Sequence, residues 1–208
     1  MVRERGAVGK LGKAMNWYSQ AGQDRFVHAV LGGKGSADMG TFLDIGCSDP
    51  VLLSNTYALE QLGWRGVLID CAPQLAARIA DKRRSPFICA KAETLVWPTV
   101  LKRLPHLIDY LSFDVDGAAL HVFDAFPWAH VRFRVLTVEH DAYRFGDGPR
   151  AKMRAGLAGQ GYELLCPNVM NDGLPYEDWW IDPREVDMTV AERFRTAAAT
   201  AWIDIVSR

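Results

Sequence analysis

The chain has 208 residues, 49% hydrophobic and 24% charged, with 24 basic against 25 acidic side chains for a formal net charge of -1. That length and composition suit one sizeable core in one globular domain, and a balance so near neutrality gives no strong signal for nucleic acid or an anionic membrane surface as the main partner. No uninterrupted apolar run approaches the ~20 residues of a membrane helix and the N-terminus lacks a secretory succession, so no membrane partner and a cytoplasmic location are expected.

Residues 1–15 carry Arg3, Arg5, Lys10 and Lys13 among glycines and alanines, which predicts a flexible basic tail ahead of a domain spanning 16–208. From Ser19 the pattern turns helical: Phe26, Val27, Val30 and Leu31 recur at three- and four-residue spacing and Gly32-Gly33 supplies the stop. Phe42, Leu43 and Ile45, bounded by Gly40 and Gly46, predict a buried strand. Ser54 to Leu62 reads as a helix, Val67 to Ile69 as a second strand, and Pro73 to about Asp81 as a helix with proline in its first turn. Phe87 to Cys89 is a third strand, followed by a short helix over Pro98 to Arg103 and a fourth strand over Ile108 to Val115.

A helix after Gly117, a fifth strand near Phe133 to Val138 and a helix from Pro149 to Leu157 continue the alternation. Tyr162 to Leu165 and Asp178 to Ile181 predict a closing pair of strands joined by a turn-rich loop over Pro167 to Pro175. Thr189 and Glu192 have capping-box spacing before an alanine-rich helix. The fold expected is α/β: a doubly wound, mostly parallel, seven-stranded Rossmann-like sheet with helices on both faces. The four cysteines, Cys47, Cys71, Cys89 and Cys166, lie in or beside apolar runs without paired spacing, so they read as free thiols in a reducing setting.

In such a sheet ligands bind beyond the carboxyl ends of the strands where the strand order reverses. That rule selects Asp44 to Asp49, Asp70, Asp114 to Gly117, and Glu139 to Asp141. A dinucleotide would need G-x-G-x-x-G after the first strand, because its pyrophosphate lies against bare backbone, and only Gly46 is present. Acids at this turn would repel a pyrophosphate but suit a ligand with an adenosine and a cationic amino-acid end; S-adenosylmethionine meets that description. Asp70, which follows Val67-Leu68-Ile69, stands where a carboxylate accepts hydrogen bonds from ribose hydroxyls. The candidate cofactor contacts are therefore Asp44, Gly46, Cys47, Asp49, Asp70, Cys71, Ala92, Glu93 and Asp114. Each strand-end acid has an alternative reading as a helix cap, and Lys91 with Glu93 as a solvated charge pair.

The blocks SQAGQD (Ser19 to Asp24), FLDIGCSDP (Phe42 to Pro50), LLSNTYALEQLGWRGVLID (Leu52 to Asp70), LSFDVDGAA (Leu111 to Ala119), VEHD (Val138 to Asp141) and GYELLCPNVMNDGLPYEDWWIDP (Gly161 to Pro183) give the chain its family likeness. In this order they resemble the FkbM-type family of class I S-adenosylmethionine-dependent methyltransferases. The chain departs from the family pattern at Pro50, where a glycine is common, and at Asp116, where a glutamate is. The resemblance implies that Gln20, Gln23 and Asp24 help close the cofactor pocket, that Asp44 and Gly46 lie beside the methionine end, that Asn55 and Thr56 pack near that loop, and that Asp70 holds the ribose.

Methyl transfer from a sulfonium needs alignment and removal of the nucleophile's proton. The candidates for that proton are His140, Asp116, Asp114 and Glu139. Asp114 and Asp116, two apart, share a face if the strand persists, or one of them caps the next helix. A divalent ion held by Asp114 or Asp116 together with Glu139, His140 or Asp141, orienting a diol of the acceptor, is an alternative that is not favoured, since mixed carboxylate and imidazole donors suit Mg²⁺ or Mn²⁺ poorly to fairly. Trp179 and Trp180, beside Glu177 and Asp178, would form an acceptor platform or fill the core. The expected activity is O-methylation of a hydroxyl on a carbohydrate or secondary metabolite, a small-molecule acceptor. The alternative is a non-catalytic cofactor-binding or scaffold module on the same fold, and association into a homo-oligomer is left open.

Overall fold

The computed structural model describes residues 15–32 and 39–208; the basic tail expected over 1–15 falls outside them but for Met15. Helix α1 (Gln23–Val30) leads into β1 (Thr41–Ile45), α2 (Tyr57–Gln61), β2 (Arg65–Asp70), α3 (Ala76–Lys82), β3 (Phe87–Cys89), α4 (Trp97–Leu101) and β4 (Leu107–Phe113). There follow α5 (Ala119–Ala125), β5 (Arg132–Glu139), α6 (Ala142–Phe145), α7 (Asp147–Gly159), β6 (Glu163–Asn171), β7 (Leu174–Ile181), α8 (Met188–Ala191), β8 (Thr200–Ala201) and α9 (Trp202–Val206). The strands form one sheet in the order β3-β2-β1-β4-β5-β7-β6-β8, with β7 antiparallel to both neighbours. Seven of the eight are the strands expected; the eighth is a two-residue strand parallel to β6. Among the described residues no helix is long and apolar enough to cross a membrane.

The central strands carry unbroken apolar runs because both faces of the sheet are covered. Alternate residues supply two cores. Leu43, Ile45, Val67, Ile69, Leu111 and Phe113 pack on one face against Trp97, Val122, Phe123, Met153 and Leu157 of α4, α5 and α7. Phe42, Leu68, Tyr110, Val135 and Trp179 pack on the other against Phe26, Val27, Leu59, Ile79 and Ile205 of α1, α2, α3 and α9. Phe26 stacks on Trp179 with ring centroids 4.3 Å apart, which ties α1 to β7 across 153 residues of chain.

Three local expectations are corrected. The segment Pro167 to Pro175 is mostly strand: β6 runs on to Asn171 through register shifts around Cys166 and Val169, and only Asp172-Gly173 turns. Proline is tolerated there because a bulge has no ladder bond to lose. The helix cap is Asp187, whose carboxylate accepts the Thr189 amide, while Glu192 pairs with Arg195 instead of closing a box. The alanine run 197–199 is not helical; Thr196 donates to the Leu165 carbonyl and Thr200 pairs with β6, which draws so short a segment out before a helix can nucleate.

Candidate active site

The strand order reverses between β1 and β4, and a cavity of about 820 Å³ opens beyond the carboxyl ends of β1, β2, β4 and β5. That volume lies in the range of small-molecule sites. Eleven of the anticipated residues line it: Gln20, Gly46, Cys47, Asp49, Asp70, Cys71, Ala92, Glu93, Asp114, Asp116 and Glu139. Gly46 lets the chain leaving β1 lie close against the end of its parallel neighbour β4. Its φ is +84°, and a Cβ there would lie 1.5 Å from the Asp114 carbonyl oxygen.

Asp70 ends β2 with its carboxylate fixed from behind: Oδ2 accepts the Ser48 amide at 2.9 Å and Oδ1 the Ala72 amide at 2.8 Å. Each oxygen keeps a second lone pair for a ligand. Asp49 accepts the amides of Val51 and Leu52 and pairs with Arg78 at 2.6 Å, which shapes the loop beside Pro50. Burial and the charges of Asp44 and Asp70 push the Cys47 thiol up, so it is an inert wall atom.

Asp44, Asn55, Thr56, Gln23, Asp24 and His140 do not reach the cavity. Asp44 lies beneath the loop, where Oδ2 accepts the Thr56 hydroxyl at 2.6 Å and Thr56 accepts Arg83 Nη2 at 2.8 Å. Burial raises the Asp44 carboxyl, against the Thr56 bond and the Arg83 charge. Asn55 donates to Ser112 Oγ at 3.0 Å, joining the loop to β4. Gln23 and Asp24 act one step back from the cavity. Asp24 accepts the Tyr18 amide at 2.7 Å and the Ser19 hydroxyl at 2.5 Å, and Gln23 accepts the Ala21 amide at 2.8 Å, so together they hold the segment that carries Gln20 to the rim.

The β4 and β5 ends gather four carboxyl groups. The strand stops at Phe113, so Asp114 and Asp116 do not share a strand face; Asp116 sits at φ +47° with its side chain 79% exposed. Its amide donates to Glu139 Oε2 at 3.0 Å. Burial and the Asp114 charge push Glu139 well up, and burial, with the charges of Asp116, Asp44 and Asp141, raises Asp114, so the pair together holds one proton above the ordinary carboxylate range. His140 points the other way: Nδ1 accepts the Ala142 amide at 3.2 Å and Nε2 stands 3.6 Å from Asp178, itself gripped by Arg154 through two hydrogen bonds of 2.7 Å. Trp179 and Trp180 are both buried, at 0% and 2% exposure, so neither faces outward as an acceptor platform.

Several contributors carry no distinctive sequence signal. Arg83, wholly buried, braces Asp44 through Thr56, although its run Lys82-Arg83-Arg84 reads as solvated charge. Leu52, Leu53 and Tyr143 line the cavity while 68%, 53% and 45% exposed, and their being apolar at a polar strand-end loop was the available hint.

No protein-family model matches the chain, and no curated protein matches it. Solved structures do. A provisionally assigned rRNA-methylase from Clostridium thermocellum superposes with a TM-score of 0.55 at 12% identity, over 80% of this chain and 97% of that one. Magnesium protoporphyrin IX methyltransferase from Synechocystis PCC 6803, with bound SAM, gives 0.51 at 14% identity over 77% of each chain. A TehB-like SAM-dependent methyltransferase from Corynebacterium glutamicum gives 0.50 at 12% over 80% and 88%. The fold is thus the Rossmann-like sheet of the class I methyltransferases.

Proposed function

We propose that the protein is an S-adenosylmethionine-dependent methyltransferase of FkbM type that methylates a hydroxyl of a small carbohydrate or metabolite acceptor. The observation that carries this reading is Asp70, held by two backbone amides at the end of β2 and facing the cavity at the switch point of a methyltransferase-type sheet. The residues present fit the cofactor: Asp70 would accept the ribose hydroxyls, the Gly46-Cys47 backbone would face the methionine end, and Ala92 and Glu93 lie beyond β3 where an adenine edge would sit. When bound, the cofactor supplies a methyl group made electrophilic by its sulfonium. The chain aligns the acceptor oxygen and takes its proton, for which Asp114 and Glu139 are the buried carboxyl groups facing the cavity. His140, turned toward Asp178, is a positioning residue for the β5 end. The open cavity beside these acids favours turnover over a scaffold role.

Calorimetric titration with S-adenosylmethionine and S-adenosylhomocysteine tests the reading. Binding in the micromolar range, about -8 kcal/mol, that Asp70→Ala abolishes or weakens at least tenfold would support it. Absence of binding to well-folded protein would overturn it.

A further inference from the structure

Eight large apolar side chains stand exposed among the described residues, and three of them, Leu52, Leu53 and Tyr143, line the cavity at the switch point. A fourth, Phe145, is 48% exposed and lies against the wall beside Asp116, where a Cβ on Gly117 would meet its ring at 3.2 Å. Single exposed apolar residues need no explanation, but several gathered at the mouth of one cavity mark a surface built to be covered. Leu52 and Leu53 follow β1, whereas Tyr143 and Phe145 belong to α6 beyond β5, so two separate segments of chain bring them there.

Leu53 adds an observation independent of that clustering. Its φ is +60°, a left-handed conformation that a bulky residue adopts at a cost and that glycine or asparagine takes more readily. Its neighbours impose it. Leu53 bridges Ser19, whose amide and hydroxyl are held by Asp24 at 3.2 and 2.5 Å, and the Leu52 amide donates to Asp49 at 2.9 Å. A leucine left 53% exposed recovers little of that cost by burial within the chain, which points to a partner outside it.

The cofactor has its partners elsewhere: Asp70 for the ribose, Ala92 and Glu93 for the adenine, and the Gly46-Cys47 backbone for a methionine end charged at both amine and carboxylate. The acceptor remains. We propose that Leu52, Leu53 and Tyr143, with Phe145 beside them, form a clasp for the apolar body of the methyl acceptor, which carries its hydroxyl on a ring-bearing apolar skeleton and is not a free sugar. Aliphatic side chains and an aromatic face cover such a body while its hydroxyl turns to Asp114 and Glu139. A free sugar would leave its many hydroxyl groups unpaired against the two leucines. The assignment of that body to a methyl acceptor rests on the methyltransferase reading; the binding of an apolar ring at the clasp does not.

The probe is 2-naphthol, an apolar ring pair with one hydroxyl, and methyl glucoside is its polar counterpart. Titrated into the full chain saturated with S-adenosylhomocysteine and followed by its own fluorescence, 2-naphthol should bind one molecule per chain with Kd below about 1 mM, and methyl glucoside at least about tenfold more weakly. Leu53→Asn should weaken 2-naphthol at least about fivefold while the melting temperature holds or rises, because asparagine tolerates the left-handed backbone. Leu52→Ser should weaken it comparably, and both variants should keep S-adenosylhomocysteine affinity within about twofold. A leucine with a purely structural role would give the reverse, lower stability and unchanged binding. Absence of 2-naphthol binding, equal binding of methyl glucoside, or binding indifferent to the folded variants overturns the clasp. A dimer in sedimentation velocity that Leu52→Ser disperses also overturns it, since the apolar mouth would then belong to a second copy. If 2-naphthol binds as stated while S-adenosylhomocysteine does not bind at all, the clasp stands and the methyltransferase reading fails.

Discussion

The Arg83 guanidinium meets the Glu60 carboxylate at 2.6 Å with both side chains sealed from solvent, at 0% and 1% exposure. Glu60 also accepts the Ser85 amide at 3.1 Å, and Arg83 reaches the Pro50 carbonyl and the Ser54 hydroxyl at 3.3 Å each. The pair therefore clamps the Pro50–Thr56 loop to the helix-strand layer beneath it. Removing one partner leaves a buried charge unmatched, so Arg83→Met should destabilise by roughly 3–5 kcal/mol in urea unfolding. Arg83→Met with Glu60→Leu should cost less than the sum of the single changes; strict additivity would show that the two do not act as a unit.

Gly46→Ala combines a φ of +84° with a Cβ driven to 1.5 Å from the Asp114 carbonyl. The Asp114 amide in turn donates to the Ile45 carbonyl at 2.9 Å, so the clash is relieved only by parting β1 from β4. A loss of at least about 2 kcal/mol is expected, from strain and overpacking, together with weaker S-adenosylhomocysteine binding. A variant with wild-type melting temperature would contradict this geometry.

Asp182 supplies the pH dependence. Burial opposes its ionisation, but hydrogen bonds from Arg184 and Arg132 outweigh it and hold the carboxyl below its ordinary 3.8. A depressed carboxyl contributes stability that is present above 3.8 and lost as pH falls through the lower folded value. Asp182→Asn should thus lower stability by about 1–3 kcal/mol at pH 7, with the gap to wild type narrowing as pH falls below the ordinary 3.8. A gap that persists undiminished into acid would assign the effect to packing.

Trp179 stacks on Phe26 and donates Nε1 to Glu177 at 2.7 Å, where burial lifts the Glu177 carboxyl to about 8. Trp179→Phe keeps the stacking and removes the donor. It should reduce stability by about 1–3 kcal/mol while leaving S-adenosylhomocysteine affinity within about twofold. A large affinity change with intact stability would return this tryptophan to the site.

What the sequence made legible follows physical boundaries. Phe42 to Ile45 and Val67 to Ile69 announce themselves because strands buried on both faces need uninterrupted apolar residues, and Gly46 and Asp70 then fall at fixed places beyond them. Strand ends pointed to Asp114, Asp116 and Glu139 equally well. Side-chain direction is another matter. The Ala142 amide meets His140 Nδ1 from two residues away, but the group its Nε2 faces at 3.6 Å, Asp178, arrives from β7, 38 residues later. The buried role of Arg83 depends on Thr56 and Glu60 arriving from another element, and β6 outruns its apolar signal because Arg150 and Arg154 pin Asn168 at 2.6 and 2.9 Å.

Because β7 runs against its neighbours, its beginning, with the Asp172-Gly173 turn, stands at the same rim as the ends of β4 and β5. The loops around Asp70 and Gly46 come from the opposite half of the sheet, so the rim is divided between two stretches of chain far apart in sequence. Insertions at the hairpin tip can reshape what lies over Glu139 and Asp141 while β1 and β2 stay untouched. A lineage built on this chain could diversify one half of the rim by changing the length of a single turn.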